Sequence, residues 1–329
     1  MRLTTLLAAG LFLALGLPGS IPAQAQAPAD CPRGALDARY CDRDGDMVAD
    51  TPTDARQLLD PPVLVFAYTP VEDPAVYRRV WQGFMDHLAA ATGKRVQFFS
   101  VQSNAAQIEA MRAGRLHVTG FATGSVPLAI NCAGFVPMAM MASKDREFGY
   151  AMEVIVHRDS PIQRMEDLRG RTVAFTAETS NSGYKAPSAL LERNYGLVAG
   201  RDYKTAFSGR HDNSVVGVAN RDYDAAAIAN SVMFRMIERR VVDGNALRTI
   251  YRSPYFPTTA YGAVSTLTPA LQEKIRAAFF SYPWEGSELI KEFSKSQPSA
   301  AQFIPVSYKE AWAIVRDIDA AMNVTYSCR

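Results

Sequence analysis

The chain has 329 residues, enough for two domains of ordinary size, and its 48% apolar content suits a folded globular protein. Its 35 Lys and Arg nearly balance 33 Asp and Glu with no basic run, which argues against nucleic acid as a partner. After the N-terminus no apolar run reaches about 18 residues, so no transmembrane anchor is expected in the mature chain. Met1-Arg2-Leu3 is a basic start, residues 6–17 are apolar, and Ala23-Gln24-Ala25 and Ala25-Gln26-Ala27 are both A-x-A sites. That is the pattern of a secretory signal peptide over residues 1–25. Cleavage after Ala25 is preferred because Pro28 would follow the other cut. No lipobox precedes Cys31, so no lipid anchor is expected there.

Residues 26–62 are polar and Asp-rich and read as an extension ahead of the folded body. Asp42, Asp44, Asp46 and Asp50 fall at positions one, three, five and nine of a calcium-loop pattern, where alternate oxygens converge on a hard cation. Met47 stands where that pattern has Gly, and no Glu falls at position twelve. A structural calcium here competes with a solvated acidic turn stapled by a Cys31–Cys41 disulfide. No other cofactor is expected. The four cysteines are even in number in an exported chain. Cys31 and Cys41 are near neighbours and are paired on that ground. Cys132 with Cys328 is one outcome among three pairings.

Val63-Leu64-Val65-Phe66-Ala67-Tyr68 is a continuous apolar run suited to a parallel strand buried on both faces. A helix is predicted over residues 75–92, then strands over 95–99 and 116–121 with a helix between them capped by Ser103-Asn104. Thr123-Gly124-Ser125 opens another helix. This βαβ repeat predicts an open, doubly wound sheet, with ligands beyond the carboxyl ends of the strands. Glu72-Asp73 reads as an acidic pair at a helix start. His87, His117 and His157 lack metal-ligand spacing and are taken as structural.

A second βα series begins near residues 153–157. Arg171-Thr172-Val173-Ala174-Phe175 reads as a buried strand, and Thr179-Ser180-Asn181-Ser182-Gly183 as a hydroxyl-rich turn before a helix at 184–193. A helix start offers unpaired N–H groups and the positive end of its dipole. Serine and asparagine side chains add donors, so the turn suits phosphate, phosphonate or sulfate. An ordinary N-cap is the competing reading. Beyond it lie a strand at 202–207, a loop carrying His211 and Asp212, a helix at 215–220 and a strand ending at Asn230. Residues 251–262 read as a linker back to the first domain, which helices near 269–282, 285–293 and 308–322 complete. Ser182, His211 and Asp212 are hydrolase residue types. No G-x-S-x-G elbow is present, and adjacent His and Asp cannot easily align base and orienter, so an enzyme is not expected.

Four blocks, in order, carry a family resemblance: Gln107 to Val118, Ser180-Asn181-Ser182-Gly183-Tyr184-Lys185-Ala186-Pro187, Gly209-Arg210-His211-Asp212-Asn213-Ser214, and Asp224-Ala225-Ala226. Together they resemble the periplasmic substrate-binding proteins of phosphonate, phosphite and phosphate ABC transporters. The resemblance implies a type II periplasmic binding fold of two α/β lobes, each an open, mostly parallel sheet flanked by helices. Lobe 1 would comprise residues 63–151 and 258–329, and lobe 2 residues 152–257. It implies a periplasmic protein that holds a small phosphorus oxyanion between the lobes and delivers it to an inner-membrane permease. Ser180, Asn181 and Ser182 would wrap the oxyanion, His211 or Asp212 would face it, and Asn230 would close the second lobe's side. Thr123 and Ser125 would contribute from the first lobe, with Asn104 in the neighbouring turn. Similar folds also serve as arsenite sensors partnered with membrane histidine kinases, which would require a free thiol at Cys132.

Overall fold

The computed structural model describes residues 31–328, so the expected signal segment lies outside the described residues. Eleven strands form two sheets. In chain order they are β1 (Val63–Ala67), β2 (Arg95–Phe98), β3 (Val118–Phe121), β4 (Phe135–Ala142), β5 (Tyr150–His157) and β6 (Thr172–Phe175). They continue as β7 (Lys204–Phe207), β8 (Ala225–Ala229), β9 (Leu247–Phe256), β10 (Ala260–Val264) and β11 (Gln302–Pro305). The first sheet runs β11-β4-β10-β3-β1-β2, and the second β7-β6-β8-β5-β9. Both are mixed. The βαβ strands β2, β1 and β3, and likewise β7, β6 and β8, are parallel. The strands on either side of the two lobe crossings, β4 and β5 outward and β9 and β10 returning, pair antiparallel within their sheets. The chain crosses once in each direction, which sets those directions.

Alternating elements follow the sequence pattern closely in the first lobe. The expected long helix is two, Pro74–Val80 and Gln82–Thr92, meeting at Trp81. Asp73 caps the first through the Ala75 N–H, and Gly93 ends the second in the left-handed conformation. Trp81 is fully buried against Phe66, Phe84 and Tyr261. Four strands and one helix went unread. Strands β9 and β10 overlap the stretch taken as a linker, β4 and β11 fall where no element was assigned, and the helix Asn230–Glu238 follows β8 directly.

Residues 31–62 are not a loose appendage. Leu36, Tyr40, Val48 and Ala49 are buried in the same apolar cluster as the first sheet. Lys309 donates to the Gly45 carbonyl, and Leu59 pairs with Leu267. Cys31 bonds to Cys41 and Cys132 to Cys328, leaving no free cysteine among the described residues. The last helix, Ala313–Ala321, touches both lobes: Val315 enters the first core and Ile318 packs against the second. Among the described residues no helix is long and apolar enough to cross a membrane.

Candidate functional site

Between the two sheets lies a cavity of about 90 Å³. That is room for a few waters or one small tetrahedral anion, well below the few hundred Å³ typical of drug-sized ligands. Ser180, Asn181, Ser182 and His211 line it from the second lobe, and Thr123 and Gly124 from the first.

The second-lobe turn follows β6. Ser180 caps it, its Oγ accepting the Gly183 N–H at 3.0 Å, so the cap reading holds while the hydroxyl proton stays available to donate. Asn181–Lys185 form a single π-helical turn before the helix Ala186–Tyr195. Asn181 and Ser182 therefore stand at a helix start, where N–H groups lack intrahelical acceptors. The Asn181 Oδ1 is buried without a protein partner. Gly183 is packed against its own lobe: a Cβ there would sit 2.0 Å from the Thr176 hydroxyl. Across the cleft, Thr123-Gly124-Ser125 precede the helix Val126–Ala133. Thr123 Oγ1 already donates to the Pro257 carbonyl at 2.8 Å. The two turns touch, and a Cβ on Gly124 would lie 2.3 Å from Thr179 O and 2.4 Å from Asn181 N.

His211 opens the helix His211–Ala219 rather than sitting in a loop. It is buried, and burial pushes its imidazole down to about 4, so the ring is neutral at physiological pH. Its Nδ1 accepts the Ala229 N–H at 3.1 Å, which leaves the proton on Nε2 as a donor.

The remaining expected residues stand back from the cavity wall. Asp212 accepts the Asp73 N–H at 3.1 Å from the opposite lobe and pairs with Arg210. Asn104 donates to Thr179 Oγ1 across the lobes at 2.9 Å. Ser125 is fully buried, its hydroxyl without a protein partner. Asn230 begins its helix with Oδ1 accepting the Ala151 N–H, and its Nδ2 is buried without a partner. In the N-terminal stretch the carboxylates of Asp42, Asp44 and Asp46 lie within 4.8 Å of one another. Asp50 is turned to Arg43 instead.

Sequence reasoning passed over Thr258, Thr259, Tyr150, Ser231 and Arg235, all on the cavity wall. The Thr258 hydroxyl is buried without a partner. Its position in a stretch read as a linker hid it. Glu72, expected as a dipole acid, is buried instead and crosses the cleft. It accepts from Arg235 at 3.0 Å, and from Arg239 and Tyr77. Arg235 and Arg239 also face Glu292. The arginine on the cavity wall is thus already neutralised. Opposed helix starts, hydroxyls and one neutral imidazole surround a small cavity, and such neutral donors are chemically suited to an anion.

The sequence profile of the periplasmic substrate-binding proteins of phosphonate ABC transporters matches residues 66–311. The chain belongs to this family. Its members are substrate-binding proteins, not enzymes. The binding protein is 23% identical over 270 residues to a phosphate-import protein of Mycolicibacterium smegmatis, covering 79% of this chain and 83% of that one. It is also 23% identical to the phosphonates-binding periplasmic protein of Escherichia coli, over 61% of each chain. Among solved structures, a binding component of a phosphonate transporter from Pseudomonas aeruginosa superposes with a TM-score of 0.71 at 20% identity, covering 80% of this chain and 88% of that one. A Prochlorococcus marinus protein in complex with methylphosphonate superposes at 0.68 and 17% identity, covering 80% of this chain and all of the other. These likenesses share the bilobed fold. The arsenite-sensor alternative loses its ligand, because the Cys132 sulfur is bonded to Cys328.

Proposed function

We propose that this binding protein holds a small phosphorus oxyanion, a phosphonate, phosphite or phosphate, between its lobes for delivery to an inner-membrane ABC permease. The observation that carries the reading is the pair of facing helix starts on one small cavity. Ser180, Asn181, Ser182 and the His211 Nε2–H would donate from lobe 2. The Thr123-Gly124 backbone and Thr258 would donate from lobe 1 and the crossover. Asp212, Ser125, Asn104 and Asn230 would support these residues from behind. The expected secretory signal and the family support a periplasmic location for this reading. The names of the phosphate-import and phosphonates-binding relatives agree with this ligand class.

The cavity wall also speaks to the rest of the ligand. Its one lining carboxylate among the described residues, Glu147, belongs to an exposed residue, and Glu72 is occupied by two arginines. An ammonium group would find no buried carboxylate free to pair with it, so a small uncharged substituent fits better. Titration calorimetry tests this with methylphosphonate, phosphite, phosphate and 2-aminoethylphosphonate. At least one of the first three is expected to bind, with 2-aminoethylphosphonate at least roughly 10-fold weaker, about 1.4 kcal/mol. Ser182→Ala should weaken binding by about 1–2 kcal/mol without lowering thermal stability. Absence of heat with all four ligands would refute the reading.

A further inference from the structure

The turn carrying Ser180 to Ser182 ends on a lysine that sequence reasoning passed over. Lys185 closes the π-helical turn, and its side chain is only 4% exposed. Its Nζ donates to the Gly124 carbonyl at 2.8 Å and to Asp319 Oδ1 at 2.7 Å. Gly124 belongs to the opposing turn of the first lobe, so this one ammonium joins the two ligand-facing turns on the side away from the cavity. Lys185 itself does not line that cavity.

The partners of Lys185 are in turn fixed from outside the cleft. Asp319 Oδ2 accepts the Tyr326 hydroxyl at 2.7 Å. Two residues further on, Cys328 is bonded to Cys132, in the helix that starts from the Thr123-Gly124-Ser125 turn. Trp312 Nε1 donates to the Thr123 carbonyl at 2.9 Å. Both carbonyls of the Thr123-Gly124 pair are therefore held, one by Trp312 and one by Lys185 of the other lobe. A trans peptide sends its C=O and N–H in opposite directions, so anchoring Thr123 O also sets the direction of the Gly124 N–H.

Resting on the oxyanion reading above, we propose that Lys185 is a positioning residue for the anion site. It ties the two donor turns together from behind, and the C-terminal segment, through Tyr326 and the Cys132–Cys328 disulfide, holds its counter-ion in place. When the lobes part, Lys185 loses the Gly124 carbonyl, so this link forms only together with the complete donor set.

The experiment compares Lys185→Met, the double variant Lys185→Met/Asp319→Asn, and Tyr326→Phe with the unmodified protein. Affinity for methylphosphonate and inorganic phosphate is read by calorimetry, and ligand-free stability by thermal unfolding. Lys185→Met should lose at least 10-fold in affinity. In the double variant no buried carboxylate is left unpaired, so ligand-free stability should recover while affinity stays low, because the Gly124 carbonyl has still lost its donor. Tyr326→Phe should weaken binding a few-fold. Unchanged affinity in Lys185→Met, or recovery of affinity together with stability in the double variant, would overturn the proposal. If the unmodified protein binds neither anion, the oxyanion reading fails, and amide exchange still judges Lys185. Segments 122–126 and 179–185 of the ligand-free double variant should then exchange faster than in the unmodified protein, and equal protection overturns the role.

Discussion

Gly124 shows how one absent side chain governs the cleft. Its neighbours across the interface are backbone atoms, Thr179 O and Asn181 N, which cannot swing aside as a flexible side chain could. Gly124→Ala should hold the turns apart and cost about 1–3 kcal/mol of closure, roughly 5- to 150-fold in ligand affinity. Ligand-free thermal unfolding should stay close to that of the unmodified protein, since the lobes can simply remain parted. His211 makes a second residue-level prediction. The unfolded chain titrates near the usual histidine value of about 6.5, whereas the buried ring takes a proton only near pH 4. Stability is therefore full above about pH 6.5 and declines as pH falls toward 4, by about 3 kcal/mol for this residue. Urea unfolding at pH 7.5 and 4.5 measures the decline, and His211→Gln should flatten it. His117, also lowered by burial, supplies a second portion. Both properties arise only in the folded chain. The sequence marked Ser180 to Ser182 and His211 by chemistry, but nothing local marks which glycine meets another lobe or which histidine loses its water.

Elements were legible where the chain repeats βαβ and obscure where it crosses between lobes. The runs before Phe98 and Phe121 alternate cleanly with capped helices, and periodicity found them. Strand β9 mixes exposed and half-buried residues at an edge and contains Pro254, so neither alternation nor an apolar run announced it. The helix Asn230–Glu238 starts directly at the end of β8 with no separating turn, and Arg235 within it and Arg239 at its C-cap meet Glu72 and Glu292. Buried charge of this kind is costly unless paired, yet on opening every partner can be hydrated, which suits a surface that must part. Arg239 is the more exposed of the two. Arg239→Gln should weaken ligand binding by about 2 kcal/mol, roughly 30-fold, mainly through faster ligand release. Stopped-flow dissociation checks this, and an unchanged off-rate would show that the helix contributes nothing to closure. Glu72 was visible in the sequence only as an acid near a helix start. Its arginine partners lie 163 and 167 positions away, beyond the reach of any local pattern.

At the scale of the molecule, two lobes, a buried polar cleft and a stapled tail form one arrangement, and its order along the chain has a cost during biosynthesis. In the first sheet β10 lies between β3 and β4, although β3 and β4 are made more than a hundred residues earlier. The second sheet, by contrast, is built from one uninterrupted stretch of chain. As the polypeptide is made, the later lobe can settle first. The earlier one must wait with two facing strand edges unpaired, a known invitation to intermolecular pairing. Until residues 260–264 arrive to zip that gap, a nascent copy is most vulnerable to aggregation in its first half. Escort by a holding chaperone would matter most in that interval.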